Sequence, residues 1–123
     1  MNSVKTIKMN AKQEFLNEIR NKSKVLCSII TYYKKGKEED YHLTTGWTDE
    51  DLEIFLKSID FEYDDGYGTQ LLYGNIWYDD GTWSERVEYD GSENWLHKKV
   101  PEIPKFLIRK DKERDKKFNE LGI

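Results

Sequence analysis

The sequence predicts an α+β fold in which an antiparallel sheet of about five strands carries two or three helices. Three observations support this prediction. Several segments are rich in β-branched and aromatic residues, short turn signals separate them, and other segments place apolar residues at helical spacing behind an N-cap residue. With 123 residues, 14% of them aromatic, the chain can bury a core without staples, so residues 1–123 are predicted to form a single globular domain.

Two helices are predicted in the first half of the chain. The first covers residues 10–21, with Asn10 as its N-cap and an apolar face that includes Phe15. The second covers residues 48–58. Thr48 precedes three consecutive acids, which is the pattern of a capping box with favourable negative charge in the first helical turn.

Five strands are predicted from composition. Residues 24–34 are β-branched and aromatic without clear alternation, which is typical of a central strand. A polar turn, KKGKEED, leads to an antiparallel partner at residues 41–47. Residues 69–78, 83–89 and 95–100 then form a three-strand meander, because Asp-Gly and other turn signals separate them.

The remaining segments are predicted from glycine and proline. Residues 60–68 contain two glycines and are predicted to be a loop. Pro101 ends the meander, because proline cannot donate a hydrogen bond to a sheet. Pro104 can occupy a first helical turn, so a final helix is predicted from Pro104 to about Leu121.

The first turn of the meander fixes a predicted pairing. Asp80-Gly81 is a strong signal for a two-residue turn of the primed type, in which glycine takes a positive φ. Such a turn pairs Tyr78 with Trp83. All other pairs between these two strands follow from that one.

The second turn of the meander has two possible lengths. A two-residue Asp90-Gly91 loop would place Glu88 opposite Glu93, and a like-charge pair on one face destabilises a sheet. A four-residue loop over residues 90–93 instead pairs Glu88 with Trp95. The longer loop is therefore predicted.

This register divides the meander into two faces, because side chains alternate along a strand. The face predicted to be core contains mostly apolar residues: Leu72, Gly74, Ile76, Tyr78, Trp83, Val87, Tyr89 and Leu96. The other face mixes rings with polar and ionisable groups: Tyr73, Asn75, Trp77, Arg86, Glu88, Trp95 and His97. This second face could bind a ligand, with Arg86 as a directional donor. Alternatively, it is a partly polar core layer beneath a helix, with Arg86 and Glu88 paired.

The charges are unevenly distributed along the chain. Residues 1–37 hold nine bases and two acids, residues 38–95 hold two bases and seventeen acids, and residues 96–123 hold nine bases and five acids. An acidic middle attracts basic partners and repels nucleic-acid backbone. The candidate contact residues of this acidic surface are Asp64, Asp65, Asp79, Asp80, Asp90 and Glu93. Alternatively, the acids serve only as turn and cap residues.

No pattern in the sequence predicts catalysis, a metal site or a cofactor. The only histidines, His42 and His97, have no Cys or carboxylate neighbours at zinc-binding spacing. The glycine-rich stretch 64–68 is acidic and lacks the Lys and Ser/Thr of a phosphate-binding loop. Cys27 lies inside an apolar strand, where a cysteine is inert packing. The chain is therefore expected to have no enzymatic activity.

The composition also predicts the cellular compartment of the protein and whether it binds nucleic acid directly. A single cysteine excludes an intramolecular disulfide and suits a reducing cytosol. No apolar run approaches the roughly 20 residues of a membrane span, and the N-terminus has no signal-peptide pattern, so a cytoplasmic protein is expected. The charged C-terminal segment alternates in sign and the pI is about 5.3, so direct binding to nucleic acid is not expected.

A resemblance gives these features a context. The stretch GYGTQLLYGNIWYDDGTWSERVEYDGSENWLHKKVPEIP, with FLNEI and VLCSIITYY upstream, resembles small uncharacterised accessory proteins of bacteriophages and mobile genetic elements. The resemblance covers most of residues 10–104, and the segment after Pro104 has no counterpart in it. Accessory phage proteins of this size are often inhibitors of host defence that bind a host protein. The resemblance brings no catalytic residues with it.

Together these observations predict a non-enzymatic binding protein in the cytoplasm of a bacterial host. Its acidic surface is expected to occupy a basic, nucleic-acid-binding surface on a host defence protein, as an inhibitor of the anti-CRISPR or anti-restriction type would. The alternative is a protein that binds a small ligand or nucleotide through the aromatic face around Trp77, Arg86 and Trp95. A sponge for a signalling nucleotide is one version of that alternative.

Overall fold

The computed structural model describes residues 7–66, 69–108 and 117–122. It confirms the predicted α+β class, with a five-stranded antiparallel sheet, a separate two-stranded sheet and two α-helices. The elements in chain order are β1 (Ile7–Asn10), α1 (Ala11–Ile19), β2 (Val25–Lys34), β3 (Lys37–Leu43), α2 (Asp49–Ser58), β4 (Glu62–Asp65), β5 (Leu72–Tyr78), β6 (Trp83–Tyr89), β7 (Ser92–Lys98) and a 3₁₀ turn (Lys105–Leu107).

The large sheet has the strand order β3-β2-β5-β6-β7, so β3 and β7 are its edges. Its inner face is covered by the two α-helices, and side chains such as Ile30 and Ile76 are fully buried there. Its outer face is more open, with Tyr73 42% and Trp77 40% exposed. The sheet therefore has one buried face and one face in contact with solvent, which an antiparallel sheet allows.

Both predicted N-terminal helices form, and each begins at its predicted cap. Asn10 Oδ1 accepts a hydrogen bond from the backbone N of Gln13 at 2.9 Å. Thr48 forms a reciprocal capping box with Asp51. The helices place Phe15 and Phe55 against each other in the core, with ring centroids 5.3 Å apart.

The edge strand β3 begins four residues earlier than the sequence predicts. Lys35 and Gly36 have φ values of 50° and 77°, so they form a two-residue turn with Lys34 paired to Lys37. The predicted turn was too long, because the prediction placed the acids at residues 38–40 in the loop. Residues 38–40 instead lie on an exposed edge strand, where charged side chains are well tolerated.

Two other segments differ from the prediction. The loop predicted over residues 60–68 contains β4, which pairs with β1 in the two-stranded sheet. The helix predicted from Pro104 begins only as a single 3₁₀ turn, because Ile108 has the extended backbone φ −97°, ψ 115°. Residues 109–116 lie outside the described residues, and residues 117–120 are helical.

The β5–β6 hairpin differs from its predicted register by one residue. Trp77, rather than Tyr78, is paired with Trp83. The turn is longer than the predicted two residues, since Tyr78 N donates to Thr82 O at 3.0 Å and Gly81 N donates to Tyr78 O at 3.2 Å. Gly81 has a φ of 85°, so the predicted positive φ is confirmed although the predicted turn length was wrong.

The β6–β7 hairpin has the two-residue Asp90-Gly91 turn that the sequence argument rejected. Both residues have positive φ, 52° and 84°, and Glu88 lies opposite Glu93. The like-charge pair is tolerated because the Glu93 carboxylate accepts hydrogen bonds from the backbone N of Leu71 and Leu72, each at 2.9 Å. Glu88 binds the backbone N of Gly91 at 2.7 Å instead.

These corrections change the predicted faces of the meander. The assignment for β5 was correct, so Leu72, Ile76 and Tyr78 face the core. The assignments for β6 and β7 were reversed, because a slip of one residue exchanges the two faces of a strand. The inner face therefore receives Ser84, Arg86, Glu88, Glu93, Trp95 and His97, and the outer face receives Trp83, Val87, Tyr89 and Leu96.

Candidate functional site

The six acids predicted to form one binding surface do not lie together. Asp79 and Asp80 are exposed in the β5–β6 turn, whereas Asp90 is exposed in the β6–β7 turn, at the opposite end of the sheet. Asp64 is partly buried in β4, opposite Lys8 of β1. Asp65 and Glu93 are buried, with 7% and 4% exposure.

Several of these acids have structural roles. The Asp65 carboxylate accepts hydrogen bonds from Glu93 N at 3.0 Å and from Ser92 Oγ at 3.3 Å, which connects β4 to β7. The Asp80 carboxylate accepts from Thr82 Oγ1 at 2.6 Å and from Thr82 N at 2.9 Å. These hydrogen bonds from Thr82 hold the pKa of Asp80 below its usual value. Asp80 thus has the role of a turn residue that the alternative interpretation gives to the acids, whereas Asp65 connects two strands.

Exposed acids instead gather on β3 and α2. The two elements contact each other, and together they carry seven exposed carboxylates: Glu38, Glu39, Asp40, Asp49, Glu50, Asp51 and Glu53. None of the seven forms a salt bridge with a basic side chain of the described residues. We call this group the β3–α2 acidic surface.

A groove of about 280 Å³ runs between β3 and α2. Its polar lining includes Asp40 and Asp51, and its apolar lining includes Ile54, whose side chain is 58% exposed. The other lining residues are Tyr41, His42, Leu43, Thr44, Phe55 and Ser58. The groove thus combines negative charge with an exposed apolar contact.

One wall of the groove is the outer edge of the sheet. In the five-stranded sheet β3 pairs only with β2, and Lys34 and Lys37 close the hairpin that joins them. The closing pair of a two-residue hairpin is hydrogen-bonded, so every second residue of β3 from Lys37 directs its backbone groups to β2. Glu38, Asp40 and His42 therefore direct their backbone N–H and C=O groups outwards. These groups can pair with an added strand.

The carboxylates around the groove interact with neutral donors. Asp40 Oδ1 accepts from Thr31 Oγ1 at 2.8 Å, and Glu39 Oε2 accepts from the Tyr41 hydroxyl at 2.6 Å. Partial burial and the hydrogen bond to Glu39 raise the pKa of Tyr41 to about 12. Because neutral donors leave the negative charge uncompensated, the surface has a negative potential that would attract a cationic group.

Arg86, predicted as a ligand donor, is completely buried beneath α1. Its guanidinium lies 3.1 Å from a carboxylate oxygen of Glu14 and 3.2 Å from one of Glu93, and Nη2 donates to the Tyr63 hydroxyl at 2.7 Å. The ring of Trp95 packs against it, with its centroid 5.4 Å away. We call this group the Arg86 cluster.

The electrostatics of the Arg86 cluster favour a permanently charged guanidinium. Burial alone would lower the pKa of Arg86, but Glu14 and the other neighbours outweigh it and raise the pKa above its usual value. Burial also raises the pKa of Tyr63, and its hydrogen bond to Glu14 acts in the same direction. The charged members of the cluster are therefore paired with one another, and Trp95 Nε1 is a buried polar atom that has no hydrogen-bond partner among the described residues.

The predicted aromatic binding face is consequently divided between the two sides of the sheet. Tyr73, Asn75 and Trp77 lie on the outer face. The other four members lie on the inner face: Arg86 and Trp95 are buried, and Glu88 and His97 are exposed at the margin. The alternative of a partly polar core layer is closer to the structure, although Arg86 is paired with Glu14 and Glu93 rather than with Glu88.

The geometry gives no positive sign of catalysis. Among residues 7–66, 69–108 and 117–122 there is no group of three His, Cys, Asp or Glu side chains that could hold a metal ion. His97 Nε2 is hydrogen-bonded to Thr82 Oγ1 at 2.9 Å, and Cys27 is partly buried. None of the described helices is long and apolar enough to cross a membrane.

Sequence reasoning missed two features of these sites. It placed the acids at residues 38–40 in a loop, although Lys35-Gly36 is itself a possible two-residue turn that would have moved them onto a strand. It also missed Glu14 and Tyr63 as partners of Arg86, which no local pattern indicates because they lie 72 and 23 residues away along the chain. Comparison of the chain with protein-family models, with curated proteins and with solved structures finds no match.

Proposed function

We propose that this chain is a non-enzymatic binding protein whose β3–α2 acidic surface receives a basic segment of another protein. The observation that carries the proposal is the groove between α2 and the outer edge of β3. It combines backbone groups that can pair with a strand, an exposed apolar side chain, Ile54, and two carboxylates, Asp40 and Asp51. Five further exposed carboxylates lie on the same two elements. Each property fits an extended segment rich in Lys or Arg.

Charge contributes mainly to the rate of association. Exposed carboxylates attract a cationic partner over about 10 Å at 0.1 M salt, and the attraction weakens as salt screens it. Backbone pairing along β3 and the contact with Ile54 would then slow dissociation, because they are short-range interactions. We therefore expect the association rate of the complex to fall strongly as the salt concentration rises.

The class of partner follows from the same charge. A protein surface that binds the phosphate backbone is rich in Lys and Arg, and an acidic surface can occupy it in competition with nucleic acid. The resemblance to accessory phage proteins supports a host defence protein of this kind, in the bacterial cytoplasm. We therefore propose a nucleic-acid-handling defence effector as the partner and inhibition as the outcome.

The test compares two charge-reversed variants of equal net charge. Glu38→Lys with Glu53→Lys changes the β3–α2 acidic surface, whereas Glu62→Lys with Asp79→Lys changes exposed acids elsewhere. Each variant is immobilised and exposed to a bacterial lysate, and the captured proteins are identified by mass spectrometry. We expect the first variant to lose the proteins captured by the unchanged chain and the second to retain them.

The captured protein then provides the decisive measurement. Its affinity for DNA or RNA should fall when the unchanged chain is added, and its association rate with the chain should fall steeply between low and high salt. Equal capture by the first variant and the unchanged chain would contradict the proposed surface. A captured protein that binds nucleic acid equally well with and without the chain would contradict the proposed inhibition.

A further inference from the structure

The segment that follows β7 exposes a run of large apolar side chains. Pro101 and Pro104 restrict its backbone, and the single 3₁₀ turn after Pro104 ends at Leu107. The exposed fractions are 71% for Val100, 66% for Ile103, 82% for Phe106, 61% for Leu107 and 59% for Ile108. Five large apolar side chains within nine residues form a larger apolar surface than isolated exposed residues would. We call residues 99–108 the C-terminal strap.

The outer face of the large sheet offers a second exposed apolar surface. Tyr33 and Tyr73 pack edge to face there, with ring centroids 5.3 Å apart, and both are 40–42% exposed. Trp77, also 40% exposed, borders a shallow hollow of about 440 Å³ with Cys27 and Ile29. The outer face is therefore rich in aromatic side chains that remain about 40% exposed to solvent.

The two surfaces also differ in charge. The strap holds two bases, Lys99 and Lys105, and one acid, Glu102. On the outer face, Glu38 and Asp40 border the apolar surface at β3, and neither forms a salt bridge among the described residues. Lys105 lies in the strap. The strap and the outer face are therefore complementary in both polarity and charge.

We propose that the C-terminal strap of one copy docks on the outer sheet face of a second copy, in a reciprocal exchange that forms a two-fold symmetric dimer. In such an arrangement the same two surfaces meet twice, and the assembly closes without leaving either surface free. Phe106 and Ile103 pack against the rings of Tyr73 and Trp77. Lys105 approaches the acids at the β3 edge.

A second copy is the occupant that the exposed surfaces favour. Within one copy, the five apolar side chains of the strap are 59–82% exposed, so the strap does not cover its own sheet face. Complete burial of five such side chains would remove roughly 300–600 Å² of apolar surface from water. Reciprocal exchange doubles that amount, and the covered sheet faces add to it, which reaches the roughly 1,200–2,000 Å² of a stable interface.

The proposal concerns a different surface from the β3–α2 groove and does not rest on the proposed function. The residues that carry it are the apolar side chains of the strap and the rings of β2 and β5. The groove is lined by β3 and α2 instead. Glu38 and Asp40 at the β3 edge border both surfaces, so the test of the dimer uses Phe106 and Trp77, which do not line the groove.

The test measures the oligomeric state of the full-length chain by sedimentation across a range of concentrations. We expect a concentration-dependent dimer for the unchanged chain. Phe106→Asp on the strap and Trp77→Asp on the outer face should each weaken the dimer at least tenfold, because each places a charge in an apolar contact. Ile7→Ser is the matched control, since Ile7 is 65% exposed but lies on β1, away from both surfaces.

A peptide of residues 99–110 gives a second measurement that does not depend on a folded variant. Added in excess, it should dissociate the dimer and change the fluorescence of the tryptophans on the outer face. The same peptide with Phe106 replaced by Asp should do neither. A chain that stays monomeric at all concentrations would overturn the proposal, as would a dimer that Phe106→Asp and Trp77→Asp leave intact.

Discussion

The Arg86 cluster and the β3–α2 acidic surface show two opposite uses of charge in one small chain. In the cluster, Glu14 and Glu93 lie 3.1 Å and 3.2 Å from a buried guanidinium, and both have further hydrogen-bond partners. On the acidic surface, seven exposed carboxylates on two contacting elements form no salt bridge with the described residues. Charge content alone therefore does not indicate a binding surface. The charge of a carboxylate is available to a partner only where the folded chain has not already paired it with a cation.

The cluster also connects parts of the molecule that are distant in sequence. Its members come from α1, β4, β6 and β7, and the Glu93 carboxylate also accepts hydrogen bonds from the backbone before and at the start of β5. A buried charge network of this kind is costly to break, since removing one member leaves another charge buried without a partner. The exposed acids can change without such a cost, because water solvates them.

The largest effect is expected from Arg86→Met. Methionine fills a similar volume but leaves the buried carboxylate of Glu93 and the partly buried carboxylate of Glu14 without their cation, so the free energy of unfolding should fall by about 3–5 kcal/mol. Urea denaturation followed by circular dichroism measures the change. Lys98→Met is the matched control: Lys98 pairs with Glu85 at 3.0 Å on a partly exposed surface, where a loss of less than about 1 kcal/mol is expected. Similar losses in the two variants would contradict the contrast between the regions.

A smaller effect is expected from removing one hydroxyl of the cluster. Tyr63→Phe deletes the group that accepts from Arg86 and donates to Glu14, which should lower the free energy of unfolding by about 1–3 kcal/mol. Tyr41→Phe deletes a hydroxyl that binds Glu39 on the acidic surface, where water can replace it. The second change should cost less than about 0.5 kcal/mol. If the two variants are equally stable, the Tyr63 hydroxyl is not part of a tightly coupled network.

Local sequence signals predicted most of the elements correctly. The Asn10 and Thr48 caps, the aromatic strand β2 and the strands of the meander all follow from spacing and residue type. These features depend on residues within one or two turns of each other. The fold class therefore followed from the sequence, since it depends on the number and order of such elements.

The register and the site could not be predicted in the same way. The two-residue Asp90-Gly91 turn was rejected because Glu88 and Glu93 repel each other, yet backbone N–H groups of Leu71 and Leu72 stabilise Glu93. Those partners lie more than twenty residues away, so no local pattern shows them. The resulting slip placed Arg86 on the wrong face, and the predicted aromatic site depended on that placement. The predicted acidic surface also includes two residues, Asp65 and Glu93, that are buried as internal hydrogen-bond acceptors.

Both tyrosines should contribute to a loss of stability at alkaline pH. The folded-state pKa of Tyr63 is raised well above the roughly 10 of an unfolded tyrosine, and that of Tyr41 is raised to about 12. A raised pKa means that the folded state holds a proton that the unfolded state releases, so stability is present below pH 10 and is lost as pH rises above it. Tyr63→Phe and Tyr41→Phe should each reduce this alkaline loss by a similar amount up to pH 11, because both tyrosines stay protonated in the folded state at that pH. Urea denaturation at pH 9 and pH 11 measures the loss of unfolding free energy. An equal loss in the unchanged chain and in both variants would contradict the raised pKa values of the two tyrosines.

The smallest effect on stability is expected from neutralising exposed carboxylates of the β3–α2 acidic surface, although the proposed function assigns binding to this surface. Glu38→Gln with Glu53→Gln removes two exposed carboxylates that form no salt bridge among the described residues. Because both side chains are exposed to water, the free energy of unfolding should stay within about 0.5 kcal/mol of the unchanged chain. Any gain should disappear at 1 M salt, where repulsion is screened. A loss above about 1 kcal/mol would place these carboxylates with Glu14 and Glu93, as charges that the fold itself requires.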